Sequence, residues 1–300
     1  MSVLTNDSLE RIKTAIIRKN TLLAEFAAKY SKNVYSDLKL IAKSGLASEY
    51  FNIGDEITVD YTYEGQVYEF PWIMVDFKDV VKLDANNQEI TRPAIILQAK
   101  YATIESIQFD HPEANNADAN IQQYGYNRYS QSAYRQWLNS SADKGSWWTA
   151  QSETDEAPNQ LNTYKGFMAG FGEEFLSLID PVQVKVATNT VTDSGVTDVM
   201  YDKFWLPSIE EMYGSPQVVG IEGTYHPYWK QKTGLTDPNN DENAARVITA
   251  LDAKSSAQTC RLRSAYRGNS GSVWSVNTPG NLGNYGAGAA CRSVPDCAIS

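Results

Sequence analysis

The sequence predicts an α+β fold, with few long elements, many short strands and many ordered loops. Three observations point there. Apolar residues recur at helical spacing in the N-terminal segment. From Phe51 onward they alternate in short runs separated by turn signals. The 300 residues include 18 Tyr and 7 Trp and are 42% hydrophobic, which suits a chain with a substantial core.

Taken in order, Asn6 to Tyr30 reads as a helix. Asn6, Asp7 and Ser8 offer N-caps, and Leu9, Ile12, Ile16, Leu23, Phe26 and Tyr30 form the stripe. A second helix is expected over Tyr35–Lys43, stopping at Gly45. Residues 1–44 thus form a helical segment that either packs on its own domain or oligomerises and anchors the chain. Residues 45–300 read as one domain. Ile57–Tyr63 and Tyr68–Phe77 alternate around a Tyr-Glu-Gly turn, the pattern of a hairpin. Ala94–Thr103 is a further strand, followed by a long polar loop, Asp110–Arg128. "SQSAYRQWLNS" is a short helix capped by Ser130, with Ala133, Trp137 and Leu138 inward. "GEEFLSLI" is another short helix and "PVQVKVAT" a strand. Loops and short pieces such as "DKFWLPSIEEMYG" lead to the closing strands "CRLRSAY", "SVWSVNT" and "ACRSVPDCAIS".

Composition removes several classes of function. A net charge of −10 with no basic stripe excludes nucleic acid as a partner. No window approaches about 18 apolar residues, so no membrane insertion is expected. The opening "MSVLTNDSLERIK" has no apolar core of the signal-peptide kind, so synthesis in the cytoplasm without a secretory leader is expected. The three cysteines, Cys260, Cys291 and Cys297, read as free and mostly buried thiols, with a Cys260–Cys291 or Cys291–Cys297 bridge as the alternative.

Catalytic patterns are weak. His111 and His226 each precede a proline and read as structural loop histidines. There is no G-x-S-x-G elbow, no H-E-x-x-H and no paired C-x-x-C. The pairs Glu173–Glu174 and Glu210–Glu211 read as solvated helix starts, because adjacent helix residues do not face one substrate. Asp237–Asn243 resembles a calcium loop in composition but lacks the Gly and Glu that an EF-hand needs. No catalytic residue, metal or cofactor is expected.

The end of the chain is unusual. From Gly268 to Ser300 the only charged residues are Arg292 and Asp296, set among Gly, Asn, Ser and Ala. There is no G-x-x-x-x-G-K phosphate loop. The alternation of "SVWSVNT" puts Trp274 and Val276 on one face, expected to be buried, and Val273, Ser275 and Asn277 on the other. Small and polar side chains on ordered backbone resemble the chemistry of antibody loops, in which Tyr gives area and Ser, Gly and Asn give adaptable hydrogen bonds.

"RLRSAYRGNSGSVWSVNTPGNLGNYGAGAACRSVPDCAIS" resembles the C-terminal variable region of phage proteins diversified by diversity-generating retroelements. The resemblance rests on Arg263-Ser264-Ala265, Trp274-Ser275-Val276, Gly280-Asn281-Leu282 and the run Arg292 to Ile299. Upstream it includes "SGLASEYFNIGDEI", "SAYRQWLNS", "GFMAGFGEEFLSLIDPV" and "FWLPSIEEMYG", so it spans about residues 44 to 300. It implies a C-type-lectin-like fold, related to that of the formylglycine-generating enzyme, with a variable region of about 261–300. It implies exposed, variable, ligand-binding positions at Tyr266, Asn269, Ser270, Ser272, Ser275, Asn277, Asn281, Asn284, Tyr285 and Ser293. It implies a framework of Leu262, Arg263, Trp274, Val276, Leu282, Arg292 and Ile299, with Arg263 and Arg292 holding the loop.

The calcium triplets of sugar-binding lectins, E-P-N or Q-P-D, are absent, and no reactive Cys pair maps onto the enzyme site. The resemblance therefore implies a receptor-binding protein of a phage or prophage virion, without enzymatic activity. Its ligand would be a protein or glycan on a bacterial surface. It would sit among other virion proteins as a homo-oligomer, with a trimer favoured. The alternatives are a structural decoration or baseplate protein and an enzyme of the formylglycine-generating type.

Overall fold

The hairpin legible in the sequence seeds the largest sheet. The computed structural model describes residues 32–233 and 241–300. Strands β1 (Glu56–Tyr63) and β2 (Gln66–Leu83) pair antiparallel with Tyr63 opposite Gln66, leaving Glu64–Gly65 as a two-residue turn. Both turn residues have positive φ, 49° and 78°, the backbone that matches strand twist in such turns. Strand β3 (Glu89–Ala99) then runs back along β2, with a register shift between Met74 and Asp76. An extra residue there re-aims the strand, and Asp76 is buried.

The remaining strands are short. They are β4 (Ile107–Gln108), β5 (Val182–Ala187), β6 (Thr197–Asp202), β7 (Phe204–Trp205), β8 (Ile248–Thr249), β9 (Ala257–Gln258), β10 (Cys260–Ala265), β11 (Ser272–Val276), β12 (Leu282–Gly286), β13 (Ala290–Cys291) and β14 (Asp296–Ile299). They build a five-stranded sheet ordered β1-β2-β3-β14-β7, a three-stranded sheet β10-β11-β12, and the pairs β13-β4, β5-β6 and β8-β9. With β14 hydrogen-bonded between β3 and β7, residues 296–300 are wholly buried. The C-terminal stretch is therefore fixed at its far end by the main sheet.

The helices are α1 (Lys32–Lys43), α2 (Ala47–Tyr50), α3 (Ala119–Tyr124), α4 (Ala133–Leu138), α5 (Glu173–Leu178), α6 (Ile209–Tyr213) and α7 (Pro227–Thr233). The architecture is a mixed α+β fold of small antiparallel sheets and short helices. Its core joins the β1–β2 hairpin to the segments 167–175 and 204 through aromatic rings. Tyr61 and Phe171 have centroids 4.8 Å apart, and Phe167 meets Phe204 edge-on at 5.4 Å, the tilted geometry that ring quadrupoles favour.

Helix α1 packs on this domain. Leu38, Ile41 and Ala42 enter the core, and Lys39 reaches Asp180 at 3.0 Å. The stripe from Asn6 to Tyr30 lies outside the described residues. The cap of α4 is Ser132, whose hydroxyl accepts from Arg135 N, and not Ser130, which instead donates to Asp198. Ala133, Trp137 and Leu138 are inward as expected. The polar run Asp110–Arg128 is no open loop: it contains α3, capped by Asp118, and buries Asp110, Glu113 and Asn127. All three cysteines are free, with Cys260 and Cys297 buried.

Candidate ligand-binding surface

The β10-β11-β12 sheet and the 266–271 turn carry most of the positions singled out at the C-terminus. Two buried side chains fix their backbone. The fully buried Arg261 donates to four carbonyls from below: Val273 (3.4 Å), Tyr285 (3.2 Å), Gly286 (3.0 Å) and Ala289 (2.8 Å). Asn127 does the same for the turn. Its Nδ2 reaches the carbonyls of Asn269 (2.5 Å), Ser272 (2.8 Å) and Tyr266 (3.3 Å), while its Oδ1 accepts from Asn189 (2.9 Å). Satisfied buried carbonyls leave this sheet and turn little freedom to rearrange.

Asn127→Ala should therefore cost roughly 1–3 kcal/mol, because it removes the side-chain donor to Asn269 O and one of two donors each to Tyr266 O and Ser272 O. Denaturant unfolding measures the loss, and amide exchange should accelerate first between Tyr266 and Ser272. A loss below about 1 kcal/mol, within the ordinary range for a surface change, would show that the turn is held elsewhere.

The glycines admit a close neighbour. A Cβ on Gly271 would stand 2.8 Å from Asn120 O and 3.1 Å from Tyr124 Cβ, and one on Gly286 would stand 3.2 Å from Tyr124 Cβ. Helix α3 thus lies against bare backbone and sets Tyr124 beside the strands. Its composition makes the stretch a packing surface on one side and a polar face on the other.

Outward, Tyr266 is 38% exposed, Tyr285 42% and Tyr124 42%. Asn284 is also exposed, and Asn269, Ser272, Asn277 and Asn281 are half-buried. Trp274 is half-buried and leans on Tyr266, with ring centroids 5.2 Å apart. The result is a shallow face of aromatic rings and amides.

Several expectations need correction. The two faces of β11 differ from the expectation: Val273 and Ser275 are buried, and Ser272 and Trp274 are half-buried, while Val276 at the end of the strand is buried. Arg261 decides this, since its guanidinium lies 3.4 Å from Ser275 Oγ, where a small residue leaves it room. Ser275 is therefore not an exposed position, and Trp274 is not buried framework. Ser270 is buried because its hydroxyl donates to Asp118, the cap of α3 (2.6 Å). Ser293 is buried beneath Tyr134, whose hydroxyl donates to it (2.8 Å). Leu282 is half-buried, because β12 is an edge strand. Val276, Leu262 and Ile299 are buried as expected. Arg292 binds Thr103 O (2.9 Å) and Asp252, and Arg263 serves a separate cluster. The loop-holding arginine is Arg261.

Arg263 donates to Leu206 O (2.8 Å), Glu222 O (2.7 Å) and the Glu211 carboxylate. Glu211 completes the capping box of α6 with Ser208 and is buried, so it is not a solvated helix start. Glu173 and Glu174 are exposed. Burial alone would raise Glu211, but the Arg263 charge and hydrogen bond, with the His226 charge, together outweigh it and hold the carboxyl below its ordinary value. His226 is no simple loop residue: it is fully buried, with Nδ1 3.5 Å from Asp76 and Nε2 3.5 Å from Asp296. Burial and Lys78 oppose its protonation, yet Asp296, Asp76 and Glu211 prevail and raise it. Burial pushes the Cys260 and Cys297 thiols up, away from the reactive thiolate form. Asp237–Asn240 of the calcium-like run lie outside the described residues.

Fold and surface together define an α+β protein with a rigidly backed face of rings and amides. Residues 83–294 match the family described as a domain of unknown function (DUF6273), and the chain belongs to that family. No curated protein and no solved structure matches it.

Neither Tyr124, Asn127 nor Arg261 was among the residues expected at this surface. Tyr124 and Asn127 sit in a polar run well over a hundred positions from the strands they serve. Only the Arg-x-Arg spacing of Arg261 and Arg263 carried a signal, two cations on a strand otherwise poor in charge.

Proposed function

We propose that this chain is a receptor-binding protein of a phage or prophage virion, built on a C-type-lectin-like scaffold. Its face at Tyr266, Asn269, Ser272, Trp274, Asn277, Asn281, Asn284 and Tyr285, flanked by Tyr124, would bind a variable target on a bacterial surface. One observation carries the reading: Arg261 and Asn127 hold the backbone from inside, so outward side chains can change without disturbing the fold. Rigid aromatic area with adaptable amides is the composition of binding loops. The resemblance to retroelement-diversified proteins supplies the virion setting, and short strands, short helices and ordered loops suit the lectin-like scaffold. The reading assigns no catalytic residue. A face this small binds weakly, so display in several copies, as a homo-oligomer through residues 6–30, would supply avidity.

The triple variant Tyr266→Ala/Asn284→Ala/Tyr285→Ala should keep its stability within about 1 kcal/mol, each site being surface-exposed. Adsorption of labelled protein to a panel of bacterial strains should fall at least about tenfold, the loss of some 1.4 kcal/mol. Undiminished adsorption by the variant would remove the surface from the account.

A further inference from the structure

Asp110, Glu113 and Asp155 come together beside α3. Each offers a carboxylate oxygen, and these oxygens lie within 4.8 Å of one another. Asp110 and Glu113 are buried to 3% and 2% exposure, and Asp155 is half-buried. Neighbours hold the groups in place from one side. Asp110 Oδ2 accepts from Tyr126 N (3.2 Å) and Asp155 Oδ2 from Gln151 N (2.7 Å). Glu113 Oε2 accepts from Asn116 Nδ2 (2.7 Å) and Thr154 Oγ1 (2.6 Å). The other oxygens of the two aspartates, Asp110 Oδ1 and Asp155 Oδ1, are shielded from solvent and accept no hydrogen bond from any described residue.

Charge makes this arrangement costly without a cation. Among the described residues, no Lys or Arg forms an ion pair with any of the three. The nearby His111 is turned to Gln108, Nδ1 to Oε1 at 3.1 Å. Buried carboxylates are retained where they are paired or coordinate a metal. The donors are oxygens only, without thiol or imidazole, which selects a hard cation and disfavours zinc.

We propose that Asp110, Glu113 and Asp155 form a binding site for a divalent cation of the calcium type. Calcium suits a set of carboxylates contributed by separate loops, because it accepts irregular oxygen geometry, whereas magnesium demands a near-ideal octahedron. The ion would brace the underside of the ligand-binding surface. Phe109 N and Asp110 N both donate to Ala287 O (2.9 and 3.2 Å), and the close approach of Gly125 joins Asp110 O to the end of α3. The site does not depend on what the surface binds.

The test uses the full chain stripped of metal with a chelator, titrated with calcium chloride and, separately, magnesium chloride. Calorimetry should show one calcium ion per chain, bound more tightly than magnesium, and calcium should raise the unfolding temperature. Asp155→Asn should weaken calcium binding by at least the roughly 10–100-fold that even an outer-shell change costs a metal site. In chelator the same variant should unfold no lower than the parent, since one of three like charges is gone. That comparison separates a lost site from a damaged fold. Absence of calcium binding, an equal calcium response in Asp155→Asn, or a variant that unfolds well below the parent in chelator would each overturn the proposal.

Discussion

Arg263→Met is expected to lower folding stability by about 3–5 kcal/mol, the cost of removing one partner from a buried ion pair. The guanidinium donates to Glu211 and to the carbonyls of Leu206 and Glu222, and all of it is buried. Without it, the Glu211 carboxylate stays inside the protein with its capping-box bond to Ser208 N (3.0 Å) but without its guanidinium. The sign of the pH dependence follows. Glu211 is held below its ordinary 4.5, so its contribution is present above that value and is lost as the pH falls through the folded value. Parent and variant should therefore differ most near neutrality and converge in acid. Denaturant unfolding at several pH values measures this. Adding Glu211→Gln to the variant should restore part of the loss, because it removes the stranded charge. A single variant within 1 kcal/mol of the parent, the scale of surface ion pairs, would contradict the account of the cluster.

Glu105→Gln is expected to act in the opposite direction. Glu105 is buried, its Oε1 accepts from Tyr61 OH (2.5 Å), and its Oε2 accepts nothing from the described residues. Burial pushes its carboxyl up from 4.5 to about 7, more than the Tyr61 bond lowers it. At 1.36 kcal/mol per pH unit, ionising it in the folded protein costs about 3 kcal/mol. Below about pH 4.5 the group is neutral in both states and there is no penalty. Between about 4.5 and 7 the unfolded chain ionises first and stability falls, and above about 7 the penalty is complete. The glutamine variant keeps an acceptor for Tyr61 and has no charge to bury. It should gain up to about 3 kcal/mol on the parent between pH 5 and pH 8. A parent-to-variant difference that does not change with pH would contradict the assignment.

Local structure was well written into the sequence. The hairpin around Glu64–Gly65, the helix before Gly45, the inward face of α4 and the strands β10 and β11 rest on periodicity and turn chemistry, which act over a few residues, whereas "ACRSVPDCAIS" divides into β13 and β14 in different sheets and β12 was not expected. The α+β class followed from them. What the sequence hid is long-range. Nothing local says that Ser270 will hold Asp118, that Ser293 will receive Tyr134, or that Asn127 will tie a turn at residues 266–272.

The burial of Ser275 in β11 is the clearest case. Hydrophobicity alone puts a Trp inward and a Ser outward. Here a buried arginine fills one side of the strand, so Ser275 faces it and is buried, while Trp274 is only half-buried. The polar core has the same cause. Glu211, His226 and Asp296 read as surface residues by type, and only the fold brings their partners to them.

The central claim, that the outward side chains of residues 266–285 form a variable binding surface on a fixed backbone, is tested most directly by sequencing the 3′ end of this gene deeply in a natural population, together with its flanking DNA. The account predicts a nearby reverse transcriptase and template repeat. It predicts substitutions concentrated at Tyr266, Asn269, Ser272, Asn277, Asn281, Asn284 and Tyr285, with Arg261, Ser270, Gly271, Ser275, Gly286 and Ser293 unchanged. An invariant 3′ end, or substitutions falling equally on the buried serines and the packed glycines, would contradict it.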